Sequence, residues 1–198
     1  MAGVFPPAFL YEGIFMDYQW LEEETIYSGR VFDLKRVRLQ LPNGRPHTYD
    51  LVSHNGAVVI LPLDDQGNIW FIRQFRVGAD QWLLELPAGV LETGEQPEAS
   101  ADREVQEEVG LAAGQLEKLG EFYMVPGYST EKLHAYLATS LYESSLPSDE
   151  DEFLEKVALP AREVYASAFR GEIQDGKTLA TLLLALPILR ERYANLIP

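Results

Sequence analysis

Three glutamates, Glu104, Glu107 and Glu108, stand on one short stretch at spacings that a helix turns into neighbours. Glu104 and Glu108 are four apart and share a helical face, with Glu107 beside them at i+3. Like charges at this spacing destabilise a helix by roughly 0.2–0.5 kcal/mol per pair, so the cluster calls for something positive above it. Arg103 is one candidate. A hard divalent cation is the other: Mg²⁺ takes one or two carboxylates and leaves its remaining positions to water and substrate phosphates. With neither, the stretch is a solvated acidic helix face, which is common.

The elements that must position these acids can be read from the residues around them. Pro97 suits the first turn of a helix, and Gly110 suits the left-handed position just past its last turn. Before the helix, Ala88-Gly89 and then Gly94 read as a glycine-rich turn that lets the backbone approach the carboxylates. Residues 56–61 form a continuous apolar run, the mark of a buried strand; 69–76 read as a second strand, and 82–87 as a third that delivers the chain to Ala88.

Strands are also expected over 116–124, 133–141 and 153–159. Helices are expected over 161–171 and 178–192, the latter apolar and kinked or broken at Pro187. Upstream, 25–41 read as strand, because Val37, Leu39 and Leu41 alternate with Arg38 and Gln40. Pro42-Asn43-Gly44 marks a turn, and 48–52 return antiparallel. Residues 1–20 hold Phe5, Phe9, Tyr11, Phe15, Tyr18 and Trp20, which pack either on the domain or on a second subunit. The order of elements implies an α+β sandwich, a sheet flanked by helices, behind an N-terminal antiparallel sheet. The expected division is an N-terminal segment over 1–53 and a main domain over 54–198.

Charge narrows the function. A net charge of −15 in 198 residues repels nucleic acid. It also repels a diphosphate, so a site for one must bring its own positive charge, from a metal and a few arginines. The absence of cysteine excludes disulfides, thiolate catalysis and cysteine-bound zinc, and fits a reducing, cytoplasmic compartment. No run of 18 apolar residues is present, so no membrane span is expected. The N-terminus lacks basic residues at its start and carries Pro6-Pro7, Glu12 and Asp17, unlike a signal peptide. His47, His54 and His134 are scattered, and no nucleophile–histidine signature is visible, which disfavours covalent catalysis.

Gly89, Glu95, Arg103, Glu104, Val105, Glu107, Glu108, Gly110 and Leu111 fill every fixed position of a pattern that resembles the Nudix box. The resemblance implies a Nudix hydrolase with the α/β/α sandwich of that family. Its activity would be metal-dependent cleavage of a nucleoside diphosphate linked to a further group. It also implies that Glu104, Glu108 and the backbone carbonyl of Ala88 hold Mg²⁺, with Mn²⁺ as the alternative ion. Glu107 would be a further ligand or orient one. Glu85 would lie near the substrate, and Arg76 would face its phosphates; arginine's planar fork of donors suits that role. Arg73 is either a second such arginine or a surface group paired with a carboxylate. Arg103 is expected to pair with a carboxylate rather than touch substrate. The acidic run over 147–152 is, taken alone, a solvated loop. By resemblance it is the mobile loop that supplies a general base, with Glu150 and Glu152 as the two matches.

The loop from Val125 to Glu131 resembles the ADP-ribose pyrophosphatase branch through Pro126, Gly127 and Glu131. Val125 replaces the usual small polar residue there, and Tyr128 is similar to dinucleoside-polyphosphate hydrolases. Pro-Gly by itself is also an ordinary turn. In the ADP-ribose branch an N-terminal sheet is exchanged between two subunits, so a homodimer is implied. Tyr27 of that sheet is the candidate to stack on adenine. The expected reaction is Mg²⁺-dependent hydrolysis of ADP-ribose to AMP and ribose 5-phosphate. The alternatives are GDP-mannose or a dinucleoside polyphosphate as substrate, or a non-catalytic nucleotide sensor, which an intact box disfavours. Missing cysteines exclude the related isopentenyl diphosphate isomerases and zinc-ribbon NADH pyrophosphatases.

Overall fold

The computed structural model describes residues 17–147 and 153–196. They divide into two compact units, one ending at Val52 and the other beginning at Ser53.

The first unit is a three-stranded sheet in the order β1 (Gln19–Ser28), β2 (Phe32–Gln40), β3 (Pro46–His54). The single strand expected over 25–41 is two strands. The chain reverses at Gly29, whose N–H donates to the Phe32 carbonyl at 3.0 Å. A Cβ there would lie 2.8 Å from that same oxygen, so only glycine fits the reversal. Gly44 closes the next turn at φ +80°, where Pro42-Asn43-Gly44 calls for one. Every residue of β1 is exposed, and Val37 of β2 is buried.

The second unit is a sandwich built on β4 (Ala57–Pro62), all six residues of which are buried. β4 pairs in parallel with β9 (Lys132–Glu143) and antiparallel with β7 (Ala88–Val90). With β8 (Leu111–Tyr123) these form a four-stranded sheet, ordered β7-β4-β9-β8. A three-stranded sheet holds β5 (Asn68–Arg76) between β6 (Gln81–Glu85) and β10 (Glu155–Pro160). Successive side chains of a strand point to opposite faces, and β4 uses both. Val58 and Ile60 pack with Ala101, Val105 and Val109 at α1 (Pro97–Glu108). Val59 and Leu61 join the larger core formed with α2 (Ala161–Phe169) and α3 (Gly176–Arg192). Helices therefore cover both faces of this sheet, and the expected α+β sandwich is found.

Several elements differ from expectation. β8 begins at Leu111, directly after the helix, rather than at 116. Its first residues are small because the strands approach closely there: a Cβ on Gly114 would lie 2.8 Å from the Ser140 carbonyl. That smallness hides the strand's periodicity. α2 ends at Phe169, two residues early, with Gly171 at φ +74° behind it. α3 is neither broken nor ended by Pro187, which lies inside it. Proline there takes the hydrogen bond from the Leu183 carbonyl. Leu183 is 69% exposed, so this turn of the helix lies on its solvent side. No described helix is long and apolar enough to cross a membrane.

Candidate active site

α1 begins with Pro97 at its first position and is closed behind by Gly110 at φ +76°, as the residues require. This length sets Ala101, Val105, Glu104 and Glu108 on the buried side of the helix. Glu104 is 8% exposed and Glu108 3%. Their carboxylates meet backbone. The Glu108 Oε2 accepts a hydrogen bond from the Ala88 N–H at 2.9 Å.

Gly89 gives the close approach of backbone to carboxylate expected of it, but from a strand rather than a turn. Ala88-Gly89 is not a turn but the short strand β7, with Gly89 opposite Val58. What Gly89 lacks is the Cβ: one placed on it would lie 1.9 Å from the Glu104 Oε1. The glycine is a cradle for a carboxylate, and the flexible turn of this segment falls instead at Gly94, φ +82°.

Arg103 lies over the acids. Its Nη1 is 2.7 Å from the Glu104 Oε1 and 2.7 Å from the Glu107 Oε2. Its Nε donates to the Glu95 Oε1 at 3.1 Å, and Nη2 to the Glu95 Oε2 at 3.2 Å. Bonding to Glu95 and the charges of Glu104 and Glu107 hold the guanidinium firmly protonated, and Arg103 in turn holds the Glu95 carboxyl below its usual range. Of the two cations expected over the acids, one is therefore this arginine. One guanidinium does not balance Glu95, Glu104, Glu107 and Glu108 together.

The donors present suit a hard cation. Buried carboxylate oxygens on one helix face meet the backbone of β7, and the missing Cβ of Gly89 leaves the space they fill. Among the described residues, no three His, Cys, Asp or Glu side chains form a ready metal cage. Mg²⁺ as a class of ion binds through one or two carboxylates and fills its remaining positions with waters and substrate oxygens.

A second cluster joins the first through the chain from Glu85 to Ala88. Glu85 is fully buried. Arg76 donates to it twice, Nε to Oε1 at 2.7 Å and Nη2 to Oε2 at 2.6 Å. Lys177 also bonds to the Glu85 Oε2 and lies 3.1 Å from the Asp175 Oδ1. Burial pushes the Glu85 carboxyl up, but Arg76 and Lys177 outweigh it and hold the group ionised, below its usual range. Asp175 caps α3, accepting from the Thr178 N–H at 2.9 Å. The Thr178 hydroxyl accepts from the Leu86 N–H at 2.9 Å, tying the start of α3 to the end of β6. Arg76 also feels the negative charge of Glu108.

Arg76, expected to face phosphate, has Nε and Nη2 engaged by Glu85, with its side chain 39% exposed. Arg73 takes the surface-pair alternative: it meets Glu155 at 3.2 Å. With Trp82, Phe153 and Leu154, these two line a cavity of about 430 Å³. In the loop before β9, Tyr128 and Ser129 turn back on the Val125 carbonyl, and the Ser129 hydroxyl accepts from the Glu131 N–H. Pro126 is exposed there. Met124, where this loop starts, is close enough to touch a Cβ on Gly176, so the loop leaves from beside the start of α3. Tyr27 stands exposed on β1 of the first unit. Glu150 and Glu152 lie outside the described residues, as does the segment 1–16.

Sequence reading missed Lys177 and Asp175, because the expected helix began at Thr178. A signal was present. Asp175 is a favoured N-cap residue, and Lys177 puts a positive charge in a first turn, where the helix dipole disfavours it. A charge set against the local field implies a partner elsewhere.

The chain is similar to proteins already known. Residues 53–182 match the model of the NUDIX domain. The chain is 38% identical to an ADP-ribose pyrophosphatase of Bacillus subtilis (strain 168), over 82% of this chain and 89% of the relative. It is 37% identical to an ADP-ribose pyrophosphatase of Mycobacterium tuberculosis, over 84% and 82% respectively. Among solved structures, an ADP compounds hydrolase superposes with a TM-score of 0.79 at 29% identity, covering 89% of this chain and 96% of that one.

Proposed function

The chain belongs to the NUDIX family, and from that premise we propose that it hydrolyses the diphosphate of ADP-ribose, or of a closely similar nucleoside diphosphate sugar, to AMP and the sugar phosphate. One observation carries the reading: two buried glutamates one helical turn apart, Glu104 and Glu108, are pressed onto the backbone of β7 at a glycine that leaves them room. The relatives named as ADP-ribose pyrophosphatases support the substrate.

NUDIX hydrolases use divalent metal ions, and Mg²⁺ is the ion proposed here. Glu104, Glu108 and the Ala88 carbonyl would hold it, with Glu107 a ligand or an orienting neighbour. When bound, it supplies neutralisation of diphosphate charge and a lowered pKa for water. In the reaction, the oxygen of water joins one phosphorus, the P–O bond of the bridge breaks, and the bridging oxygen leaves with the other phosphate. Glu150 or Glu152 is proposed to take the water's proton, a contribution typically worth ~10²–10⁴ in rate. Arg103 holds Glu104, Glu107 and Glu95 in register. Arg76 is proposed to meet a phosphate with the part of its guanidinium that Glu85 leaves exposed. Pro126 and Glu131 are proposed to border the substrate, and Glu85 to act through Arg76. Arg73, the other arginine named for the substrate, would have to leave Glu155 to reach it.

A panel of ADP-ribose, GDP-mannose, NADH, diadenosine polyphosphates and ATP tests the reading, with phosphate released by a coupled phosphatase. Mg²⁺-dependent turnover of ADP-ribose above the others is expected. Preference for another compound would keep the chemistry and replace the substrate. Inertness toward all of them, in folded protein with metal, would point to a nucleotide sensor.

The first unit is proposed to form a homodimer. The exposed Trp20, Ile26, Tyr27 and Phe32 on its strands support this, since monomers rarely leave such apolar surface in water. Tyr27 is the residue proposed to stack on adenine. Light scattering should then give twice the chain mass of 22.3 kDa, and a clean monomer at assay concentration would remove the dimer. The lack of cysteine supports a cytoplasmic setting.

A further inference from the structure

Lys177 has a task that the capping of α3 does not explain. A fully buried carboxylate needs a counter-charge, and one guanidinium balances its single negative charge. Glu85 has two. Arg76 already satisfies both of its oxygens, yet Lys177 donates to Oε2 as well. The two cations differ in depth: the Lys177 side chain is 13% exposed, that of Arg76 three times as much. The lysine sits in the first turn of a 17-residue helix, against the dipole, so helix stability does not favour it. Asp175 offsets that charge at 3.1 Å, and the Thr178–Leu86 hydrogen bond holds the whole turn at a set distance from Glu85.

Arg76, Lys177, Glu85 and Asp175 together are neutral. Take Lys177 away and the same group carries a net negative charge beside the already acidic face of α1, with Arg76 as the sole counter-ion of a buried acid. A diphosphate would then approach an arginine whose charge is spent inward.

We propose that Lys177 is a positioning residue for diphosphate binding: by sharing Glu85 with Arg76, it leaves the outer part of the Arg76 guanidinium positive and aimed at substrate. The inference rests on the hydrolase reading above and adds the residue on which its phosphate contact depends.

Steady-state kinetics test it, together with equilibrium binding of ADP-ribose in EDTA, where nothing turns over. Lys177→Met should raise KM and the metal-free Kd roughly tenfold, the effect of one unit charge at a partly screened site, with kcat changed much less. Lys177→Arg should recover most of the loss. Glu85→Gln in the Lys177→Met background should also recover affinity, because the acid that captures Arg76 is gone. A purely structural lysine would lower the melting temperature and leave that rescue absent. Unchanged KM and Kd in Lys177→Met, or a loss that Glu85→Gln does not relieve, would overturn the inference while leaving the hydrolase reading intact. Should Lys177→Met fail to fold, Lys177→Gln, which keeps a donor to Glu85 without its charge, is judged by the same two outcomes. A wild-type protein inert toward the whole panel would overturn the functional reading and this inference with it.

Discussion

Gly89→Ala should fold normally and lose roughly 10²-fold or more in kcat. The new methyl would fall 1.9 Å from the Glu104 Oε1 and 2.0 Å from its Cδ, far inside contact distance. What it meets is the end of a flexible side chain, so the side chain yields rather than the backbone. Gly89 has no left-handed φ to lose, and its three nearest neighbours are all atoms of the Glu104 carboxylate. Stability should therefore change by about 1 kcal/mol or less, within the ordinary range for a substitution that spares the core. Catalysis is less forgiving. A shift of about 1 Å in a group that orients reacting atoms can cost ~10²-fold. A melting curve alongside the rate with ADP-ribose and Mg²⁺ checks both halves. Wild-type activity in Gly89→Ala would mean that the Glu104 carboxylate has no fixed task at this site.

Glu108→Gln tests the metal more directly, and its expected loss is larger: roughly 10²–10⁴ in kcat/KM. The substitution keeps size and an oxygen that can still accept from the Ala88 N–H, now at 2.9 Å. The contact between α1 and β7 should survive, and with it the fold. The negative charge goes. Charge stabilisation by a bound divalent ion is worth several kcal/mol, and each ~1.4 kcal/mol is tenfold in rate. Removing a charged ligand should also raise the Mg²⁺ concentration needed for half activity. Rates measured across a range of Mg²⁺, with calorimetric titration of the ion itself, separate weaker binding from slower chemistry. Activity near wild type at every Mg²⁺ concentration would show that Glu108 holds no metal.

The two variants differ in what they disturb. Gly89→Ala leaves every charge in place and moves one. Glu108→Gln moves nothing and removes one. If the site works by charge held in a fixed place, both lose activity, and only Glu108→Gln changes the metal requirement strongly.

Much of this was legible along the chain. The helix carrying the acids announces itself through Pro97 and Gly110, and the shared face of Glu104 and Glu108 follows from 3.6 residues per turn. The apolar run at β4 marks a strand buried on both sides, and that is how it lies between α1 and the pair α2 and α3. These features are local: they depend on residues within a turn or two of one another, and backbone geometry does the rest.

Tertiary structure decided the partners. That Gly89 is a gap for Glu104 depends on β7 pairing with β4, which brings residues fifteen positions apart into contact range. That Arg76 turns to Glu85 follows from the hairpin of β5 and β6. That Lys177 completes the pair depends on α3 docking its first turn at the end of β6, 92 residues away in sequence. Sequence alone determined which groups can carry charge and which face of a helix presents them. Which charge meets which was settled by packing, because a buried carboxylate takes its counter-charge from whatever cation the fold brings within reach, and no local pattern encodes that distance.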